Sequence, residues 1–162
     1  MEKKVVVFSG VAAAGKSTEA QIQKAMYGDD CVLSMDAIRE MCGAIVRDKD
    51  GNPIRISQDY NKTVFEIYRR MVETRMMAGA YTVLDNTHLD ARSLELVKNL
   101  AQKYGYSVEV HRFECSLETL LKRNTERGYK NVPEDVVRKM YHKFVNFVPE
   151  DWYVLVVHNT DN

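Results

Sequence analysis

Cysteine is scarce in this sequence: Cys31, Cys42 and Cys115 are three among 162 residues. An odd number with no C-x-x-C excludes a disulfide framework. With His88, His111, His142 and His158 scattered, no structural zinc site is spelled out either. The cysteines are expected to be small buried apolar residues in a reducing cytoplasm. Net charge is missing too, since Lys plus Arg and Asp plus Glu are both 23. No global basic field exists to attract nucleic acid, so a polyanion would have to be bound by a local cluster. No apolar run is long enough to span a bilayer as a helix, and no signal peptide or lipidation motif is visible. These absences predict a cytoplasmic chain with no membrane partner. Internal repeats and low-complexity segments are absent as well. What is left, 45% apolar and 28% charged over 162 residues, predicts one globular domain, 1–162, with a real core.

Against that background one stretch stands out, Gly10-Val11-Ala12-Ala13-Ala14-Gly15-Lys16-Ser17. It fits G-x-x-x-x-G-K-[ST], the phosphate-binding loop. Several backbone N–H groups must converge on a polyphosphate, so the loop has to wrap without side chains in the way. Glycine at both ends and alanine between allow this, and the following helix points its positive end at the anion. The expected nucleotide contacts are Gly10, Ala13, Ala14, Gly15, Lys16, Ser17 and Thr18. Lys16 serves the outer phosphates as a point charge, and the Ser17 hydroxyl serves Mg²⁺. An ordinary glycine turn between strand and helix can carry the same letters, but the context agrees with the motif. Lys4-Val5-Val6-Val7-Phe8 reads as a buried strand. Thr18 to Tyr27 reads as a helix with Ala20, Ile22, Ala25 and Met26 inward and Gly28 as its stop.

Downstream, short apolar runs alternate with helical periodicity. Strands are predicted at 31–34, 81–84, 106–113 and 152–158. Helices are predicted at 36–42, at about 58–77, from the Asp90 cap to Gly105, at 116–125, and from Pro133 to Phe147. The long helix places Tyr60, Val64, Phe65, Tyr68, Met71, Val72 and Met76 on one stripe, more simply a core face than a cofactor box. Residues 44–56 read as an excursion of two β-prone pieces around the turn Asp50-Gly51-Asn52-Pro53. Asp48-Lys49-Asp50-Gly51-Asn52 imitates a phosphatase or calcium-loop fragment but lacks the rest of either, and reads as an exposed turn. The alternation predicts an α/β fold, a parallel five-stranded sheet sandwiched by helices, with ligands beyond the carboxyl ends of the strands.

That rule collects Gly10–Ser17, Asp36, Asp85 and the segment after Phe113. Asp36 and Arg39 share a helical face: Asp36 is placed to accept a proton from an acceptor hydroxyl and Arg39 to bind an acceptor phosphate. The plain alternative is an N-cap and a surface charge. Asp85-Asn86-Thr87 ends the third strand. Asp85 is expected to touch the metal through water, or to position the acceptor or Arg39; all three residues are also simple turn formers. His88 is expected to be structural or solvated. Arg123 and Arg127, four apart before Gly128, suit a mobile lid at about 123–133, or else a solvated basic helix end.

Together, the phosphate loop, Asp36-x-x-Arg39, Asp85-Asn86-Thr87 and Lys122-Arg123-Asn124 to Arg127-Gly128 resemble the kinase domain of polynucleotide 5′-hydroxyl kinases, the phage type especially. The similarity runs from Val5 to about Phe144 and includes Val132-Pro133. The resemblance implies a P-loop kinase fold with an Arg-bearing lid, ATP as donor with Mg²⁺, and a 5′-OH end of DNA or RNA as the partner. It makes Asp36 the general base and Arg39 the contact to the terminal nucleotide's phosphate. Arg127, helped by Arg123, clamps ATP, and Asp85, Asn86 and Thr87 lie near the acceptor. Longer members carry a phosphatase domain that this sequence lacks, which implies end healing by the kinase alone. The loop interior also lacks the Pro, Ser and extra Gly often found there. Two other functions fit the same residues: a P-loop kinase acting on another hydroxyl (a modified base in DNA, a nucleoside or other small molecule), and a nucleotide-dependent binding module without transfer.

Overall fold

The computed structural model describes residues 2–161. Its centre is β1, Lys4–Ser9, in which Val5, Val6, Val7 and Phe8 are each no more than 1% exposed. A strand apolar on both faces has to be covered on both, and it is. Val5 and Val7 face α3 (Asn61–Met77) through Val64, Val72 and Met76, and α4 (Ala91–Tyr104) through Leu94 and Val97. Val6 and Phe8 face the other way. There they meet Ala20 of α1 (Lys16–Tyr27), Leu120 of α5 (Leu117–Thr125), and Val137 and Phe144 of α6 (Glu134–Val145).

Five parallel strands form the sheet. From one edge to the other they are β2 (Val32–Leu33), β5 (Thr82–Leu84), β1, β6 (Ser107–Glu114) and β7 (Val154–Asn159). The chain leaves β1 toward one edge and returns for β6 on the other side. The crevice between β1 and its neighbours therefore opens at the carboxyl ends, where Gly10 begins. Between β2 and β5 come α2 (Met35–Met41) and an antiparallel hairpin, β3 (Ile45–Arg47) with β4 (Pro53–Ile56). Its tip is closed by Asp48, whose Oδ1 accepts from the backbone N–H of Asp50 and Asn52 at 2.9 Å. The calcium-like stretch is an exposed turn, as its composition implies.

Helix ends follow the capping residues. Asp90 and Ser93 cap α4 reciprocally, and Gly105 closes it at φ 70°. Ser116 caps α5 through the Thr119 N–H, and Pro133 is the cap of α6 rather than its first residue.

Besides Pro133, four sequence expectations need correction. In α1 the buried side is Ala20 with Gln23, while Ile22, Ala25 and Met26 face solvent. Close packing on the sheet needs the small Ala20, and Gln23 is satisfied there because Tyr81 Oη donates to its Oε1 at 2.7 Å. In α3, Tyr60 and Phe65 are exposed and the stripe is Val64, Tyr68, Val72 and Met76. Of the cysteines only Cys31 is buried, and it lies in a 3₁₀ turn before β2 rather than in the strand. The fourth correction, at Arg123 and Arg127, belongs to the site.

Candidate active site

The phosphate loop joins β1 to α1. Its glycines are required by contact and by dihedral angle. A Cβ on Gly10 would lie 3.1 Å from Phe113 Cβ and 3.3 Å from the Phe113 carbonyl, and Gly15 has φ 95°. Ala13 also sits at φ 69°, a left-handed conformation that costs an alanine about 1 kcal/mol and that turns successive N–H groups toward one point. Gly15, the N-cap of α1, contributes no side-chain bond, so the first turn presents backbone donors beside the Ser17 and Thr18 side chains, which are exposed. Lys16 folds back, its ammonium donating to the carbonyls of Gly10 (2.9 Å) and Val11 (2.8 Å). Burial pulls that ammonium down to about 8, with the Asp85 carboxylate opposing.

The loop leaving β5 ties the site together. Thr87 accepts from the Gly10 N–H at 2.8 Å through its carbonyl. His88 follows at φ 39°, 7% exposed. Its Nδ1 is 2.8 Å from the Phe8 carbonyl, and its own carbonyl accepts from Ser9 Oγ at 2.8 Å. Of the two expectations for His88, the structural one is met. Asn86 Oδ1 accepts from the Met35 N–H at 2.9 Å, and the Asp85 N–H donates to the Leu33 carbonyl at 2.9 Å. So the β5 loop fixes the phosphate loop on one side and the start of α2 on the other. Asn86 Nδ2 and the Tyr68 hydroxyl are buried beneath it without a hydrogen-bond partner among the described residues.

Asp36 is the second residue of α2, whose N-cap is Ser34, so Asp36 is free of the capping role. One of its oxygens, Oδ1, receives Arg39 Nη1 at 2.7 Å, and the carboxylate is 49% exposed. Arg39 Nε and Nη2 both donate to Asn61 Oδ1, at 3.0 and 2.8 Å. Burial pushes the Asp85 carboxyl above the usual carboxylate range, with Lys16 opposing and Asp36 adding to the rise.

Arg123 and Arg127 do not share a helical face, because α5 stops at Thr125 and a turn carries Arg127 away. Arg123 points back, donating to the Thr160 carbonyl and to Cys115 Sγ. Arg127 is half-buried; burial lowers its guanidinium, and the carboxylates of Asp36 and Asp85 act the other way. Lys16, Asp36, Asp85 and Arg127 are thus in electrostatic reach of one another at the carboxyl ends of β1, β2 and β5.

Sequence reasoning missed Asn61, Thr160 and Glu40. Thr160 Oγ1 donates to the Ala14 carbonyl at 2.9 Å and lies against Gly15; it follows β7, so the carboxyl-end rule reaches it. Glu40 accepts from Tyr129 Oη and pairs with Lys130, and nothing local in the sequence signals that link. Among the described residues no three His, Cys, Asp or Glu cluster closely enough to hold a metal, and no helix is long and apolar enough to cross a membrane.

A family model described as AAA domain matches residues 5–146. The bifunctional polynucleotide kinase/RNA ligase, so named, of Autographa californica nuclear polyhedrosis virus is 26% identical over 165 residues, 95% of this chain and 22% of that protein. The L-seryl-tRNA(Sec) kinase of Methanococcus maripaludis is 27% identical over 144 residues, 86% of this chain and 52% of that one. The chain therefore spans from about a fifth to about half the length of these curated relatives. A solved chain of the Pnkp1/Rnl/Hen1 RNA repair complex superposes with a TM-score of 0.69 at 20% identity, covering 88% of this chain and 44% of that chain. The five-stranded sheet shares the fold of these neighbours, and with the family model spanning most of its length the chain belongs to the AAA domain family.

Proposed function

We propose that this protein transfers the γ-phosphate of ATP to the 5′-hydroxyl end of a DNA or RNA strand. The observation that carries the reading is the placement of Asp36. Its Oδ1 is tied to Arg39, its carboxylate is half exposed, and it shares the field of Lys16, Asp85 and Arg127. A nucleotide switch has no need of a proton acceptor there. In the transfer, the acceptor oxygen forms a bond to the γ-phosphorus, the bond to the β–γ bridging oxygen breaks, and ADP leaves with that electron pair. The acceptor proton goes to Asp36. Lys16 and Arg127 meet the charge on the phosphoryl oxygens, and the loop backbone from Gly10 to Thr18 holds the rest of the triphosphate.

Mg²⁺ fits the donor set present, since the Ser17 hydroxyl and the Asp85 carboxylate are hard oxygen ligands and such an ion keeps waters and phosphate oxygens as its other ligands. Bound with ATP, it neutralises charge on the β- and γ-phosphates. Arg39 keeps N–H donors on Nη1 and Nη2 beyond those used by Asp36 and Asn61, which suits a phosphate on the terminal nucleotide.

The 26% identity to a protein named for polynucleotide kinase activity supports this acceptor. The similarity to an L-seryl-tRNA(Sec) kinase supports a second reading, transfer to another hydroxyl. Incubation with γ-labelled ATP and a panel of 5′-OH oligonucleotides, mononucleosides and seryl-tRNA separates them. Label at the oligonucleotide 5′ end is the expected result; label only on mononucleosides or the seryl hydroxyl replaces the acceptor. Asp36→Asn is expected to abolish transfer while leaving ATP binding intact.

A further inference from the structure

Arg39 is held from two sides by residues of two different helices. On one side Nη1 meets Asp36 Oδ1 at 2.7 Å; on the other Nε and Nη2 converge on the single oxygen of Asn61, at 3.0 and 2.8 Å. The Arg39 side chain is only 12% exposed. α2 is two turns long, too short to fix a long side chain by its own packing, and the Asp36 end of the pair is half exposed, which weakens that hold. The second grip comes from the first residue of α3, a 17-residue helix anchored in the core by Val64, Tyr68, Val72 and Met76.

The chemistry of that grip is informative. The forked edge of a guanidinium is the usual seat of a carboxylate, which binds it in two parallel charge-assisted bonds. A carboxylate at position 61 would compete with Asp36 for one cation. An amide oxygen fixes the direction of the fork and adds no charge, so the full positive charge of Arg39 stays with Asp36. We infer that Asn61 is a positioning residue for phosphoryl transfer: it locks Arg39 so that Asp36 keeps one oxygen tied and presents the other to the acceptor hydroxyl.

This inference rests on Asp36 as the proton acceptor. The hydrogen bonds of the Asn61 side chain both go to Arg39, so its effect is expected to pass through Arg39. Asn61→Ala is expected to lower kcat about tenfold or more, as the loss of charge-assisted hydrogen bonds does, with the KM for ATP changed by less than about twofold. Arg39→Ala is expected to lose more. Adding Asn61→Ala to Arg39→Ala should then change kcat by less than about twofold, since the residue it acts through is gone. Thermal melting of the same four proteins separates loss of the α3 start from loss of positioning. Unchanged kcat in Asn61→Ala with a lowered melting temperature overturns the inference, and so do effects that multiply in the double variant. The Asp36→Asn control tells the two failures apart. If that variant still transfers phosphate, the assigned reaction falls; if it is inactive while Asn61→Ala is fully active, only the role of Asn61 falls.

Discussion

Glu40 and Lys130 meet at 3.1 Å across the mouth of the site, joining α2 to the turn that follows Arg127. Tyr129 Oη donates to the same Glu40 oxygen at 3.3 Å, so one carboxylate fastens two residues of the turn. The hairpin strand β4 packs against this turn as well. α2 and the turn after Arg127 are therefore in direct contact, and the hold is light: a half-exposed ion pair is worth up to about 1 kcal/mol. Glu40→Ala should leave global melting nearly unchanged and speed tryptic cleavage after Arg127 and Lys130 several-fold. Cleavage at the parental rate would show that the turn is held by something else.

Lys16 makes nucleotide binding sensitive to pH. Its ammonium titrates near 8 because burial disfavours the charge. A bound triphosphate restores the advantage of the charged form and raises that value, so binding takes up protons wherever the free protein has begun to lose them. Near pH 8 the uptake should be about half a proton per ATP, and affinity should fall as pH rises beyond it. Calorimetry in two buffers of different ionisation enthalpy reads the uptake; proton release at pH 8 contradicts it.

His88 carries an acid sensitivity of the fold itself. Burial depresses its imidazole to about 4 from the ordinary 6.5. Between those values the unfolded chain binds a proton that the folded one refuses, so stability falls as the solution is acidified from pH 6.5 toward 4. The shift corresponds to about 3 kcal/mol in all. His88→Asn keeps a donor toward the Phe8 carbonyl and a residue type that tolerates φ 39°, and should flatten that part of the stability curve. Urea melts at pH 6.5 and 4.5 compare the two proteins, and equal losses in both would place the acid sensitivity elsewhere.

Gly10→Ala tests the wrap of the loop. The new methyl would press on Phe113, which is 2% exposed and wedged between Phe8 and His158 at ring distances of 5.2 and 4.6 Å. Overpacking of this kind costs about 1–3 kcal/mol. ATP affinity should drop with it; binding at parental strength would mean the strand–loop junction yields freely.

Much of this was legible in the residues. The order of strands and helices follows from apolar runs and caps, and Lys16, Asp36 and Asp85 fall together because all lie just past the carboxyl ends of parallel strands. What was not legible depended on orientation or distance. Ile22 and Met26 have the right chemistry for a core, but only small Ala20 lets α1 lie close on the sheet. Arg123 and Arg127 are spaced for one helical face, yet α5 ends between them. Asn61 reads as one more polar residue at a helix start, since its side-chain partner Arg39 lies 22 residues back on another helix. Glu40 finds Tyr129 across 89 residues.

The stitch from Thr160 to Ala14 spans 146 residues. Thr160 is itself fastened to the Glu114 carbonyl through its N–H and to Arg123 through its carbonyl. The nucleotide pocket therefore closes on a contact of very high sequence separation, although its signature occupies eight consecutive letters. During synthesis the loop emerges early, and its last support, the Thr160 contact, forms only when β7 has joined β6.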